Sequence, residues 1–147
     1  MTIAEVEDAL LEALRGAVPY AKTVRSYAGE WDEAVERVVM LFPAVLVELD
    51  SVGYEEEAYQ SIETATFWEE LVFAIWLASK SLRGEEEARR GAQGAYQMLE
   101  DVKKLFGKVL AQGLTDLTPQ GVELMANSKG VVVYRVLVSV RQLFATS

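Results

Sequence analysis

The side chains best equipped for chemistry in this sequence are carboxylates. Glu55, Glu56 and Glu57 follow Asp50 inside an acidic, tyrosine-bearing stretch, DSVGYEEEAYQSIE at 50–63. Several oxygens close together suit a hard cation such as calcium. The spacing does not match an EF-hand, and adjacent carboxylates on an extended segment point in different directions. A solvated acidic loop, or the tip of a hairpin, is therefore the expectation for this stretch. Glu69 and Glu70 are neighbours in an apparent strand, so they face opposite sides and cannot form an acid–base pair by themselves. Each would need a distant carboxylate to act as glycosidases do, and the sequence points to none. Gly84, Gly91 and Gly94 resemble a nucleotide loop only superficially, because the phosphate-gripping lysine and the glycine spacing are missing. Phe67, Trp68, Phe73 and Trp76 could stack a ligand, but packing in a core or between subunits explains them more simply.

The residue types that are missing narrow the chemistry further. The 147 residues contain no cysteine, which removes disulfides, thiolate catalysis and cysteine-ligated metals. They contain no histidine either, which removes the commonest general base and transition-metal ligand. No catalytic, cofactor-binding or metal-ligating residue emerges, and a non-enzymatic protein without cofactor is expected. The start, MTIAEVEDALLEAL, has acids where a secretion signal needs bases, and the run Leu71 to Leu77 is far too short for a bilayer. The expectation is a protein of the cytosol, without a membrane partner.

The net charge of −9 is unevenly spread. Residues 1–70 hold 16 acids and 4 bases, a net of −12, whereas residues 71–147 hold 7 acids and 10 bases, a net of +3. So acidic a chain is not expected to bind nucleic acid, whose affinity rests on basic groups displacing counterions. Solubility alone explains the imbalance; copies of the chain meeting through oppositely charged faces explain it too.

The elements that must position these residues can be read in turn. Residues 3–17 form an amphipathic helix with Ile3, Val6, Leu10, Leu14 and Ala17 on one face, and Thr2 with Glu5 make a capping box. Lys22 to Tyr27 is short and β-prone. Residues 32–41 read as a second helix, capped by Asp32, with Ala34, Val38 and Leu41 buried. Pro43 ends it and opens the strand AVLVELD, apolar enough for burial on both faces. Thr64 to Leu82 is a long strand with an apolar inner part. Gly84 to Phe106 reads as one long helix, with Glu85, Glu86 and Glu87 in its first turn and Gly107 as its cap. Ala88, Ala92, Ala95, Tyr96, Leu99, Val102 and Phe106 form its buried stripe. Gly121 to Ala126 and Val131 to Phe144 are strands joined by the turn-forming NSKG at 127–130. The fold class is α+β in a single domain spanning 1–147, with a mixed, mostly antiparallel sheet and helices mainly on one face.

The stretch SLRGEEEARRGAQGAYQMLEDVKKLF at 81–106, with PYAKTVRSYAGE at 19–30 and FPAVLVEL at 42–49, resembles a small tail-protein family of Mu-like prophages. What the resemblance implies is a structural virion subunit encoded beside the tail sheath gene, similar to the tail terminators of long-tailed phages. Such subunits are homo-oligomers, hexameric rings that cap the tail tube and sheath and meet the head–tail connector. The implied location is the host cytoplasm during assembly and then the virion tail. No sequence-specific nucleic acid binding, membrane or cofactor is implied. A head–tail adaptor or other neck subunit is the alternative, and a small carboxylate-dependent hydrolase a distant one. A ring needs two different complementary faces on one chain. Glu55, Glu56 and Glu57 are candidates for the acidic face. Lys103, Lys104 and Lys108 are candidates for the basic one, on the expectation that Arg89 and Arg90 already pair with Glu85 and Glu86 four residues earlier.

Overall fold

A computed structural model describes residues 1–29, 40–57 and 64–146. Helix α1 (Ile3–Ala17) begins with the expected capping box: Glu5 N donates to the Thr2 hydroxyl at 3.1 Å, and Thr2 N donates to the Glu5 carboxylate at 3.1 Å. The strands are β1 (Thr23–Ser26), β2 (Ala44–Glu56), β3 (Ala65–Lys80), β4 (Thr118–Ser128) and β5 (Val131–Thr146). They form one sheet in the order β1-β2-β3-β5-β4, parallel between β1 and β2 and antiparallel elsewhere. Between β3 and β4 lie helices α2 (Glu85–Arg90) and α3 (Ala95–Lys103). The α+β class and the mixed sheet expected from the sequence are both present.

The alternation of the strands builds two apolar faces. Val45 and Val47 of β2, Leu71, Phe73, Ile75 and Leu77 of β3, and Val136, Val138 and Val140 of β5 point to the helical side. There they meet Val6, Leu10, Leu11 and Leu14 of α1 and Met98 and Val102 of α3, and together form the main core. Ala88 and Ala95 pack against Val132 on the same side, so all three described helices share one face. The opposite face carries a smaller cluster of Ala44, Leu46, Ala74, Trp76, Ala78, Val131 and Val133. Tyr27 stacks on Trp76 there at 5.4 Å. Burial of Ala44 to Val47 on both faces matches the continuous apolar run read for that strand.

Several expectations need correction. The long helix is two helices, because the chain turns sharply at Gly91–Gly94 and Gln93 adopts a left-handed φ of 59°. A side chain at Gly94 would meet the carbonyl oxygens of Ala88, Gly91 and Arg89 at 2.7, 2.9 and 3.0 Å, so only glycine lets α3 start so close to α2. Restarting the helix at Ala95 changes its phase. Met98 and Leu105 become buried, Ala92 and Tyr96 are exposed, and Leu99 and Phe106 are only partly buried. The helix stops at Lys103, and Gly107, with φ 81°, ends the turns that follow. Leu41, expected to be buried, is 66% exposed and not helical, while the rest of that predicted helix, 32–39, lies outside the described residues. Of the two readings for the acidic stretch the hairpin holds and the loop does not: Glu55 and Glu56 end β2 beside the tip of the β2–β3 hairpin, paired with Trp68 and Phe67 of β3. A solvated strand end accepts charge as readily as a loop does, and residues 58–63 of the acidic stretch lie outside the described residues. The NSKG segment is the expected tight hairpin turn, with φ of 51° at Lys129 and 79° at Gly130 as a two-residue connection requires.

Candidate functional site

The candidate acids lie where β2, β3 and β5 run past the helical layer. A bulge between Leu49 and Ser51 shifts the register of β2, and from there to Glu56 the strand is largely exposed. On the face away from the helices, Arg141 of β5 reaches across β3. Its guanidinium lies 4.9 Å from the Trp68 ring and donates to the Glu55 carboxylate at 3.0 Å. Arg135 repeats the arrangement six residues earlier. It lies 5.7 Å from the Trp76 ring, donates to Glu123 at 3.0 Å and stands 3.8 Å from Asp50. The Trp76 indole N–H donates to Glu48 at 3.1 Å. Trp68, Glu70, Tyr54, Glu55 and Arg141 surround a shallow depression of about 310 Å³.

Glu69 and Glu70 face opposite sides of β3, as adjacent strand residues must. Glu69 is buried on the helical side, accepting from Gln142 Nε2 at 2.8 Å and from the Tyr54 hydroxyl at 2.9 Å. That bond to a carboxylate holds the Tyr54 phenol above its ordinary pKa. Gln142 also donates to the Met1 carbonyl at 2.9 Å, which fixes the entry to α1 against the end of β5. Glu70 accepts from Gln120 at 3.4 Å. The partner of Glu70 is an amide and those of Glu69 are an amide and a phenol, so among the described residues neither is hydrogen-bonded to a second acid.

The predicted interface residues are thus distributed over two regions. Glu55, Glu56 and Glu57 stand together at the outer end of the sheet, and Glu55 is tied to Arg141. Lys103 and Lys104 hold Glu100 and Asp101, each at 2.9 Å one turn earlier. Asp101 also accepts from the Tyr20 hydroxyl at 2.6 Å; the Tyr20 and Lys104 bonds depress its pKa, while burial and the same bond raise that of Tyr20. Lys104 and Lys108 rim a groove of about 570 Å³ floored by Ala13, Gly16 and Ala17. The local partners of Lys103 and Lys104 reduce what they offer a neighbouring molecule. Of the four aromatic residues, Phe73 packs in the main core and Trp76 in the smaller cluster, whereas Phe67 and Trp68 are half-buried and Trp68 lines the depression beside Arg141. Sequence reading missed Arg135 and Arg141. Their signal is parity: both fall on one face of β5, and Trp68 and Trp76 fall on the same face of β3.

Among the described residues no group of three or more acids is placed to hold a metal ion, and no helix is long and apolar enough to cross a membrane. Residues 2–146 match the family model described as Bacteriophage Mu, Gp37. No curated protein matches the chain.

Proposed function

The chain belongs to the Bacteriophage Mu Gp37 family, and from that premise we propose that it is a structural virion protein, the tail terminator of a contractile-tailed phage or prophage. In this reading six copies form a ring that caps the tail tube and sheath and offers the head–tail connector its docking surface. The chain assembles in the host cytoplasm and ends in the virion tail. The single observation that carries the reading is the family match over residues 2–146.

The fold supports it in a specific way. Ring closure requires one subunit to present two unlike, complementary surfaces. The acidic outer end of the sheet, with Glu55, Glu56 and Glu57, supplies one of them. Part of the charge imbalance between the two halves of the chain is satisfied inside the subunit, by Arg135 with Asp50 and Arg141 with Glu55.

Electron microscopy of tails carrying the labelled protein, with light scattering of the purified chain across concentration, tests the reading. Label at the head-proximal end of the tube and a six-fold ring are expected. Label at the portal, with no contact to tube or sheath proteins, would make the chain an adaptor instead. A protein that stays monomeric and never appears in tails would end the reading.

A further inference from the structure

The two ends of the sheet differ in charge and both expose apolar side chains. At the outer end, where Glu56, Phe67 and Phe144 share a register row, Glu55 and Glu56 are exposed beside Tyr54, Leu143 and Phe144. Tyr54 is 60% exposed and Leu143 54%. At the other end, where Ala44, Ala78 and Val133 share a row, the turn after β3 carries Leu82, fully exposed, next to Arg83. Leu41, Lys22 and Lys80 stand at the same end. A cavity of about 220 Å³ separates Lys22 and Lys80, with Phe42, Pro43 and Glu87 among its walls. Lys80 lies 6.0 Å from the Phe42 ring, and among the described residues neither Lys22, Lys80 nor Arg83 enters an ion pair. Glu85, Glu86 and Glu87 in the first turn of α2 are the acids nearest this end. The two ends are separated by the length of β2, thirteen residues or about 40 Å.

We propose that successive copies of this chain meet end to end along their strands: the outer end of one sheet, through Glu55, Glu56 and Tyr54, docks on Lys22, Lys80, Arg83 and Leu82 of the next. The proposal rests on the ring reading above and names its interface. The occupant is a second copy because both halves are present on one chain: an apolar patch edged by Glu55 and Glu56, and an apolar patch edged by Lys22, Lys80 and Arg83, which among the described residues form no ion pair. Such a contact is heterologous, so it propagates instead of stopping at a dimer. It differs from a contact with Lys103 and Lys104 at the end of α3, which already hold Glu100 and Asp101, whereas among the described residues Lys22, Lys80 and Arg83 form no ion pair. Glu55 is shared with Arg141 of its own chain, so Glu56 is the main acid offered to the neighbour.

Two experiments on the full chain test it. Because the chain has no cysteine, an engineered pair supplies its only thiols. Glu56→Cys/Arg83→Cys should give, on mild oxidation, a ladder of covalent dimers, trimers and higher species, whereas Glu56→Cys/Lys108→Cys should not. A ladder only from the second pair would move the contact to the helical layer and overturn the proposal. In the second test, Glu55→Lys/Glu56→Lys and Lys22→Glu/Lys80→Glu/Arg83→Glu are each made alone. Each should associate on the order of ten-fold more weakly at low salt, as expected from losing a few exposed pairs. Mixed in equal amounts they should alternate and recover assembly, which a misfolded variant could not do. Rings that form from the parent chain but ignore these changes would sink the interface and leave the terminator reading intact. A parent chain that never assembles would sink both.

Discussion

Two glycines beside helices should respond to the same substitution with opposite signs. Gly94 lies at the sharp corner between α2 and α3, and a methyl group there would sit 2.7, 2.9 and 3.0 Å from three backbone carbonyl oxygens. None of those atoms is the far end of a flexible side chain, so the corner itself must open. The displaced helix is the one that buries Ala95, Met98 and Val102. Forcing one extra carbon into so tight a place costs about 1–3 kcal/mol. Gly16, near the end of α1, has nothing within 4 Å of the same position. Gly16→Ala should stabilise by about 0.4–1 kcal/mol, by restricting the unfolded chain and favouring the helix. Urea melts of the two variants with a common slope would give both values, and for a chain of this size each kcal/mol moves the thermal midpoint by roughly 2–4 °C. A neutral or stabilising Gly94→Ala would refute the reasoning, since α2 and α3 would then not be held as close as described.

Further expectations follow from the packing and the polar pairs. Met98→Ala should cost about 2–5 kcal/mol in chemical denaturation, as a fully buried truncation does, whereas the exposed Tyr96→Ala should cost well under half of that. Tyr20→Phe removes the hydroxyl that binds Asp101 and should cost about 0.5–1.5 kcal/mol at neutral pH. Because folding raises the Tyr20 pKa, the bond's contribution is complete below about pH 10 and is lost as pH climbs above that; Tyr20→Phe should flatten this alkaline limb in melts taken across pH. Because folding lowers the Asp101 pKa, its contribution is present above the ordinary carboxylate range and lost on acidification, so Asp101→Asn should weaken the acid limb. Glu55→Gln/Glu56→Gln/Glu57→Gln should weaken association at low salt in sedimentation velocity while moving monomer stability by less than about 1 kcal/mol, since the pair with Arg141 is exposed.

Local signals were legible where one short segment decides the outcome. The capping box before α1 and the Lys129–Gly130 turn each depend on four or five residues, and each is found as read. At 84–106 the spacing predicts one helix where the fold has two, because two influences compete there. Apolar residues continue at helical spacing across Gly91–Gly94, while the glycines permit a close approach that only the folded neighbours reveal. Once the second helix restarts at Ala95, Met98 replaces Tyr96 in the core, which the spacing of one continuous helix cannot show. The glutamates of the candidate site were visible as a charge run, but their place in a paired strand depends on Phe67 and Trp68, eleven or more residues away. The arginines that face them come from β5, and strand order alone brings residue 141 beside residue 55.

The sheet order has a consequence for how the protein is made. β3 lies between β2 and β5, yet its β5 partners follow far along the chain: Lys80 pairs with Val131, and Ala65 with Thr146. A ribosome adding roughly 5–20 residues per second leaves the last of those partners unsynthesised for several seconds after β3 is complete. Through that interval the most apolar strand of the molecule, LVFAIWLA at 71–78, has one edge paired and the other bare. Bare edges of such strands are where chains join to the wrong neighbours. The nascent chain is thus most vulnerable before β5 emerges, and conditions that slow translation of residues 81–146 should favour inclusion bodies over soluble subunit.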